Sequence, residues 1–186
     1  MKCLSPSNIL KGAAVLALLF SSCFSASAQN ADSKKISHLF AEIKEHSTLA
    51  KDDAQSLEAY TRSGVSWELH ANQLMLIREH VNDLLADYGE MARIRDEGSR
   101  WQQDAIDQLG PVLQKMADHL TATIEQQREN PRHVNMPDFG DCVQANSEYA
   151  TKAASLIHDL VDYGVARTAA ESLEKELQLP SRAEKE

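Results

Sequence analysis

Seven histidines and five methionines carry the lone pairs that could hold a metal ion or a haem in this 186-residue chain. His70 has the most suggestive position, because its register sets it among Trp67, Leu74 and Ile77 on the apolar side of a helix. An inward histidine facing an inward thioether, such as Met91 or Met116, is the axial pair of a b-type haem. The competing reading puts His70 near a helix end with its polar edge in water or bonded to a neighbour. A lone histidine on an apolar face is more often of that kind. No cofactor and no metal ion is therefore expected, and His70, Met91 and Met116 stand only as candidates. His133 and Met136 share a loop and could touch a soft metal, but two donors make no site. His119 and His158 flank helix seams. His46 and His80 each follow a glutamate, Glu45 and Glu79, and adjacent helical residues point apart, so neither pair is a dyad.

The spacings that announce specific chemistry are missing from the sequence. Glu-x-x-His pairs, which bring two ligands to one metal in di-iron bundles, do not occur. Neither do Cys-x-x-Cys-His, His-Glu-x-x-His, Gly-x-Ser-x-Gly or a phosphate-cradling glycine loop. The expectation is a protein that is not an enzyme.

The first 28 residues read as a secretory signal. Lys2 and Lys11 supply positive charge, Gly12 to Phe20 are apolar, and Ala26-Ser27-Ala28 presents small side chains for a signal peptidase. The apolar run is shorter than the roughly 20 residues a membrane-spanning helix needs. Phe20-Ser21-Ser22-Cys23 partly matches a lipobox, with Phe20 where leucine is usual. Cleavage after Ala28 into the periplasm or the exterior is the favoured reading, and a lipid anchor on Cys23 the alternative. After cleavage Cys142 is the one remaining cysteine, so an internal disulfide cannot form and stability must come from the core. Cys142 reads as a small buried hydrophobe, its thiol kept protonated by Asp138 and Asp141.

The chain carries a net charge of −9, and the leader takes two lysines and no acid with it. An acidic protein repels phosphate backbones and anionic headgroups, so no nucleic acid is expected as partner, and a membrane only if Cys23 is lipidated. Scarce Gly and Pro and abundant Ala, Leu, Glu and Gln favour helix throughout.

Four helical segments can be traced. The clearest starts at Trp67 behind the cap residue Ser66. It shows Trp67, His70, Leu74, Ile77, Val81, Leu84, Tyr88 and Met91 at alternating three- and four-residue spacing, with Gly98 as its left-handed terminator. Ser99 and Gln102 form a capping box for the next segment, which presents Ile106, Leu109, Leu113, Met116 and Leu120, with a kink expected at Gly110-Pro111 and an end at Asn130-Pro131. Asp138 is read as the cap of the last segment. Its inward face is taken as Phe139, Cys142, Tyr149, Ala153, Leu156, Leu160, Tyr163, Ala170, Leu173 and Leu177. The first segment has a stripe of Ile36, Leu39, Phe40 and Ile43 that weakens across His46 to Asp53 and resumes at Leu57 and Tyr60. It reads either as one bent helix or as two, before a turn at Ser63-Gly64-Val65. The expected fold is all-α, an antiparallel up-down four-helix bundle over residues 29–180, with a frayed tail at 181–186. The alternative is a three-helix core with the first segment laid across it.

The run Trp67-Glu68-Leu69-His70-Ala71-Asn72-Gln73-Leu74, with Ile77, Glu79-His80-Val81-Asn82, Trp101-Gln102-Gln103-Asp104-Ala105-Ile106-Asp107 and Val161-Asp162-Tyr163-Gly164, resembles a group of uncharacterised exported bacterial helical-bundle proteins. The likeness spans most of the chain beyond the leader. It implies a helical fold and export, and brings no activity, cofactor or partner with it. Together these readings point to a non-catalytic envelope protein, an interaction or structural module for an unknown protein partner. The alternative is a bundle that binds a small ligand, haem or metal through His70.

Overall fold

A segment with neither glycine nor proline from Ser22 to Ser63 has nothing to break a helix, and it forms one continuous helix, α1 (Ser22–Ser63). The possible division into two is thereby resolved. A computed structural model describes the backbone of residues 22–178 and the side chains of residues 33–178. Lys2, Lys11, the apolar run Gly12–Phe20, Pro180 and the tail 181–186 lie outside the described residues. Cys23 and Ala26-Ser27-Ala28 belong to the first turns of α1. Gly64, at φ +63°, takes the left-handed conformation that turns the chain out of α1.

Three more helices follow: α2 (Trp67–Arg93), α3 (Arg100–Glu129) and α4 (Pro137–Glu176). Short 3₁₀ turns at Arg95–Glu97 and Pro131–His133 join the last three. There is no strand among the described residues, and the protein is an all-α four-helix bundle. α1 and α3 each pack against both α2 and α4. Lys35 meets Glu90, His46 faces Asp87 and His80 faces Asp53. Numbers fall on α2 as they rise on α1, so those helices run antiparallel. Lys44 with Asp162 and Thr48 with His158 show the same for α1 and α4.

The core is built from the predicted stripes. Ile36, Leu39, Phe40, Ile43, Ala50, Ala54 and Leu57 of α1 meet Leu74, Ile77, Val81, Leu84 and Met91 of α2. All five apolar positions read for α3 are buried. Burial of a Leu or Ile side chain stabilises by about 1.5–3 kcal/mol, so this core dominates the folded state. Ser99 and Gln102 form the expected capping box. Gln102 goes further: its Nε2 donates to the Ser33 carbonyl at 2.9 Å, tying the start of α3 to α1.

Several expectations need correction. Trp67 is 41% exposed, because its place on the first turn of α2 puts it at the rim. α2 stops at Arg93, and Gly98 is extended (φ −77°, ψ 160°) rather than left-handed. A Cβ at Gly98 would stand 2.9 Å from Ile36 Cδ1 and 3.1 Å from the Arg95 carbonyl oxygen, so a side chain there would crowd the turn. α3 continues through Pro111 as one helix, and Gly110 makes room for the Tyr88 hydroxyl, with which a Cβ would collide. α4 begins at Pro137 with Met136 as its cap residue, and Asp138 lies in the first turn. The buried face of α4 runs through Phe139, Val143, Asn146, Ala150, Ala153, Ile157 and Gly164, so Val143 holds the place given to Cys142, which is half-buried. Tyr163, Ala170, Leu173 and Leu177 are exposed. The reason is length: α4 spans about 60 Å and α3 about 45 Å at 1.5 Å per residue. α3 starts at Trp101's end of the bundle, where that ring covers Gly164. Beyond that level α3 offers α4 nothing to pack against.

Candidate functional site

His70 is fully buried, not at a wet rim. Its Nδ1 lies 2.9 Å from the Ser66 carbonyl oxygen. A carbonyl only accepts, so Nδ1 carries the proton and Nε2 is left as a bare lone pair without a hydrogen-bond partner. The rings of Tyr60 and Phe139 stand edge-on to it at 6.1 and 5.8 Å between centroids. Met91 is buried on the same helix about 31 Å further along its axis, too far to share an ion with His70. Met116 is a buried core residue of α3. His70 thus ties the start of α2 to an aromatic layer of the core.

A second cluster lies between α1 and α2. α1 contributes His46 and Asp53, and α2 contributes Gln73, His80, Asp83 and Asp87. His46 Nδ1 is 3.9 Å from Asp83 Oδ2, and its Nε2 is 3.8 Å from Asp87 Oδ2. His80 Nε2 is 3.3 Å from Asp53 Oδ2, while Gln73 Nε2 donates to Asp53 Oδ1 at 2.9 Å. The two imidazoles lie 6.5 Å apart. Burial, then the nearby Glu42, pushes the Asp87 carboxyl above its ordinary value, against the pull of His46. Sequence reasoning missed this cluster because it weighed each histidine only against its chain neighbour. The signal was present in α1: the apolar stripe weakens across His46 to Asp53, where the helix turns these polar side chains toward α2. On α2, His80, Asp83 and Asp87 fall at helical spacing on one face.

The third feature is an apolar groove at the far end of α4, with a cavity of about 390 Å³. Phe40 and Trp101 line it opposite Val161, Gly164 and Val165, and the hydroxyls of Ser37, Thr168 and Ser172 are its polar lining groups. Phe40 stacks on Trp101 at 5.9 Å, and Tyr163 meets the indole edge-on at 5.6 Å. Gly164 is required here, since a Cβ would stand 2.5 Å from Trp101 Cη2. No titratable side chain among the described residues lines this cavity.

The remaining candidates stay apart. His133 and Met136 line a separate cavity of about 350 Å³ at the loop before α4. His119 stacks on Tyr149 at 4.3 Å, and His158 Nε2 is 3.0 Å from the Thr48 hydroxyl. The Cys142 thiol is raised above its ordinary value by burial and then by Asp141 and Asp138, which disfavours the thiolate. No helix among the described residues is long and apolar enough to cross a membrane.

No protein-family model, curated protein or solved structure matches this chain.

Proposed function

We propose that this protein is a non-catalytic module of the cell envelope, exported to the periplasm or the exterior, that works by receiving an amphipathic helix of a protein partner. The observation that carries this reading is the groove at Phe40, Trp101 and Gly164, which opens onto an exposed apolar stripe of α4 (Val165, Ala169, Leu173, Leu177). A helix-lined groove continuous with an unpaired apolar helix face suits the apolar side of another helix, read at i, i+3, i+4 and i+7. At about 390 Å³ the cavity is at the small end of ligand pockets, which span roughly 300–1,000 Å³. Its lining of apolar side chains and three hydroxyls, with no acid, base or nucleophile-activating group among the described residues, favours docking over catalysis. The net charge of −9 favours a partner helix with basic flanks. Export rests on the leader.

Photo-crosslinking side chains placed at Val165 and Leu173 in the native envelope test the reading. One identified partner should be captured from both positions and lost in Trp101→Ala, and a synthetic helix from it should bind the purified chain. The absence of adducts overturns the proposal, and so does an adduct joining two copies of this chain.

A further inference from the structure

The groove leaves the α1–α2 cluster unexplained. We propose that His46, His80 and Asp83 form a binding site for one divalent transition-metal ion of the Zn(II) class. One donor atom from each of the three lies within 4.8 Å of the others. Ligands around a tetrahedral ion with bonds of about 2.0–2.2 Å sit roughly 3.4 Å apart. Small side-chain rotations therefore suffice to close the site, and helix backbone need not move.

Orientation adds to proximity. Each imidazole turns its Nε2 toward a carboxylate: His80 toward Asp53 at 3.3 Å and His46 toward Asp87 at 3.8 Å. Each Nδ1 is buried and has no hydrogen-bond partner. At His80 the Asp53 carboxylate favours the proton on Nε2 and leaves the lone pair on Nδ1, the arrangement that steers histidine ligands to a metal, whereas His46 lies between Asp87 on its Nε2 side and Asp83 on its Nδ1 side, neither within hydrogen-bond reach. Asp53 is itself steadied by Gln73 Nε2 at 2.9 Å, so the chain Gln73–Asp53–His80 supports one ligand through two residues. Asp83 Oδ2, 3.9 Å from His46 Nδ1, supplies the anionic donor.

The donor set selects the ion. Two imidazoles and one carboxylate suit zinc, copper or nickel, whereas magnesium and calcium require mostly oxygen. Three protein ligands leave a fourth position for water. Because His46 comes from α1 and the other two from α2, a bound ion staples those helices together.

The test uses the full chain, stripped with EDTA and titrated with Zn(II) by calorimetry and with Co(II) by visible absorption. One ion per chain should bind, with tetrahedral Co(II) bands and a raised melting temperature. Asp53→Asn should weaken binding about 10–100-fold with stoichiometry kept. His46→Gln and His80→Gln should weaken it more, and His119→Gln should leave it unchanged. X-ray absorption of the Zn(II)-loaded wild type should show two imidazoles, a readout that does not depend on any variant folding. Failure of the wild type to bind, zinc bound without imidazole, or affinity unmoved in folded His46→Gln and His80→Gln overturns the proposal.

Discussion

His70 shows how a register fixes the place of one side chain while its neighbours fix its bonding. Its register predicts an inward position, and it is inward, with Nδ1 at the Ser66 carbonyl and Nε2 among aromatic rings. A buried polar atom without a partner costs about 1–3 kcal/mol, whereas replacing it by an apolar group of similar shape can be nearly neutral. The Ser66 carbonyl also accepts from the backbone N–H of Leu69 and His70, so it is not orphaned by loss of the imidazole. We therefore expect His70→Leu to unfold in urea within about 1 kcal/mol of wild type. His70→Ala should lose about 2–5 kcal/mol through the cavity it leaves. Equal losses in both variants would show that the Nδ1 hydrogen bond, not packing, is what His70 contributes.

Between elements, three cross-element ion pairs set the acid response. Lys35 on α1 holds Glu90 on α2, Lys44 on α1 holds Asp162 on α4, and Arg95 in the connecting turn grips Asp107 on α3. In each case the hydrogen bond from the cation holds the carboxyl below its ordinary value. A folded-state value below the unfolded one gives stability that is present above about pH 4 and is lost as pH falls through the lowered value. The pairs are exposed and screened, so the effect is modest. The melting temperature of the EDTA-treated protein should fall less between pH 5 and pH 2.5 in the Glu90→Gln, Asp107→Asn, Asp162→Asn triple variant than in wild type. Parallel curves would remove these pairs from the acid response. None of the three pairs was legible in the sequence, since each joins two different elements and depends on how they pack. The stripes of α2 and α3 were legible because long periodic segments bury what their period predicts. The register of α4 was not, because alanines and small polar residues fill its face: Asn146, Ser147, Ala150, Ala153 and Ala154 are buried, and the larger apolar residues beyond Gly164 are exposed. The α1–α2 cluster was half-legible, as a gap in a stripe whose filling needed the neighbouring helix.

At the scale of the whole molecule, α4 outruns α3, while α1 continues beside it. Its apolar residues past Gly164 do not stabilise the fold of the monomer: Leu173 and Leu177 are 57% and 64% exposed. Periodic apolar residues that stay in water contribute nothing to folding by burial, since the hydrophobic gain scales with the area removed from water. Deletion of residues 169–186 keeps Val165, Thr168 and the Trp101–Gly164 contact while removing the free stripe. The shortened chain should therefore unfold within about 3 °C of the full chain, a shift equivalent to roughly 1 kcal/mol at this size. Scanning calorimetry of both forms measures this directly. A fall of some 8 °C or more would mean that the stripe packs on its own bundle in solution. That result would close the groove to a partner helix and overturn the interaction reading at its base, because the same apolar area cannot cover the core and receive a guest.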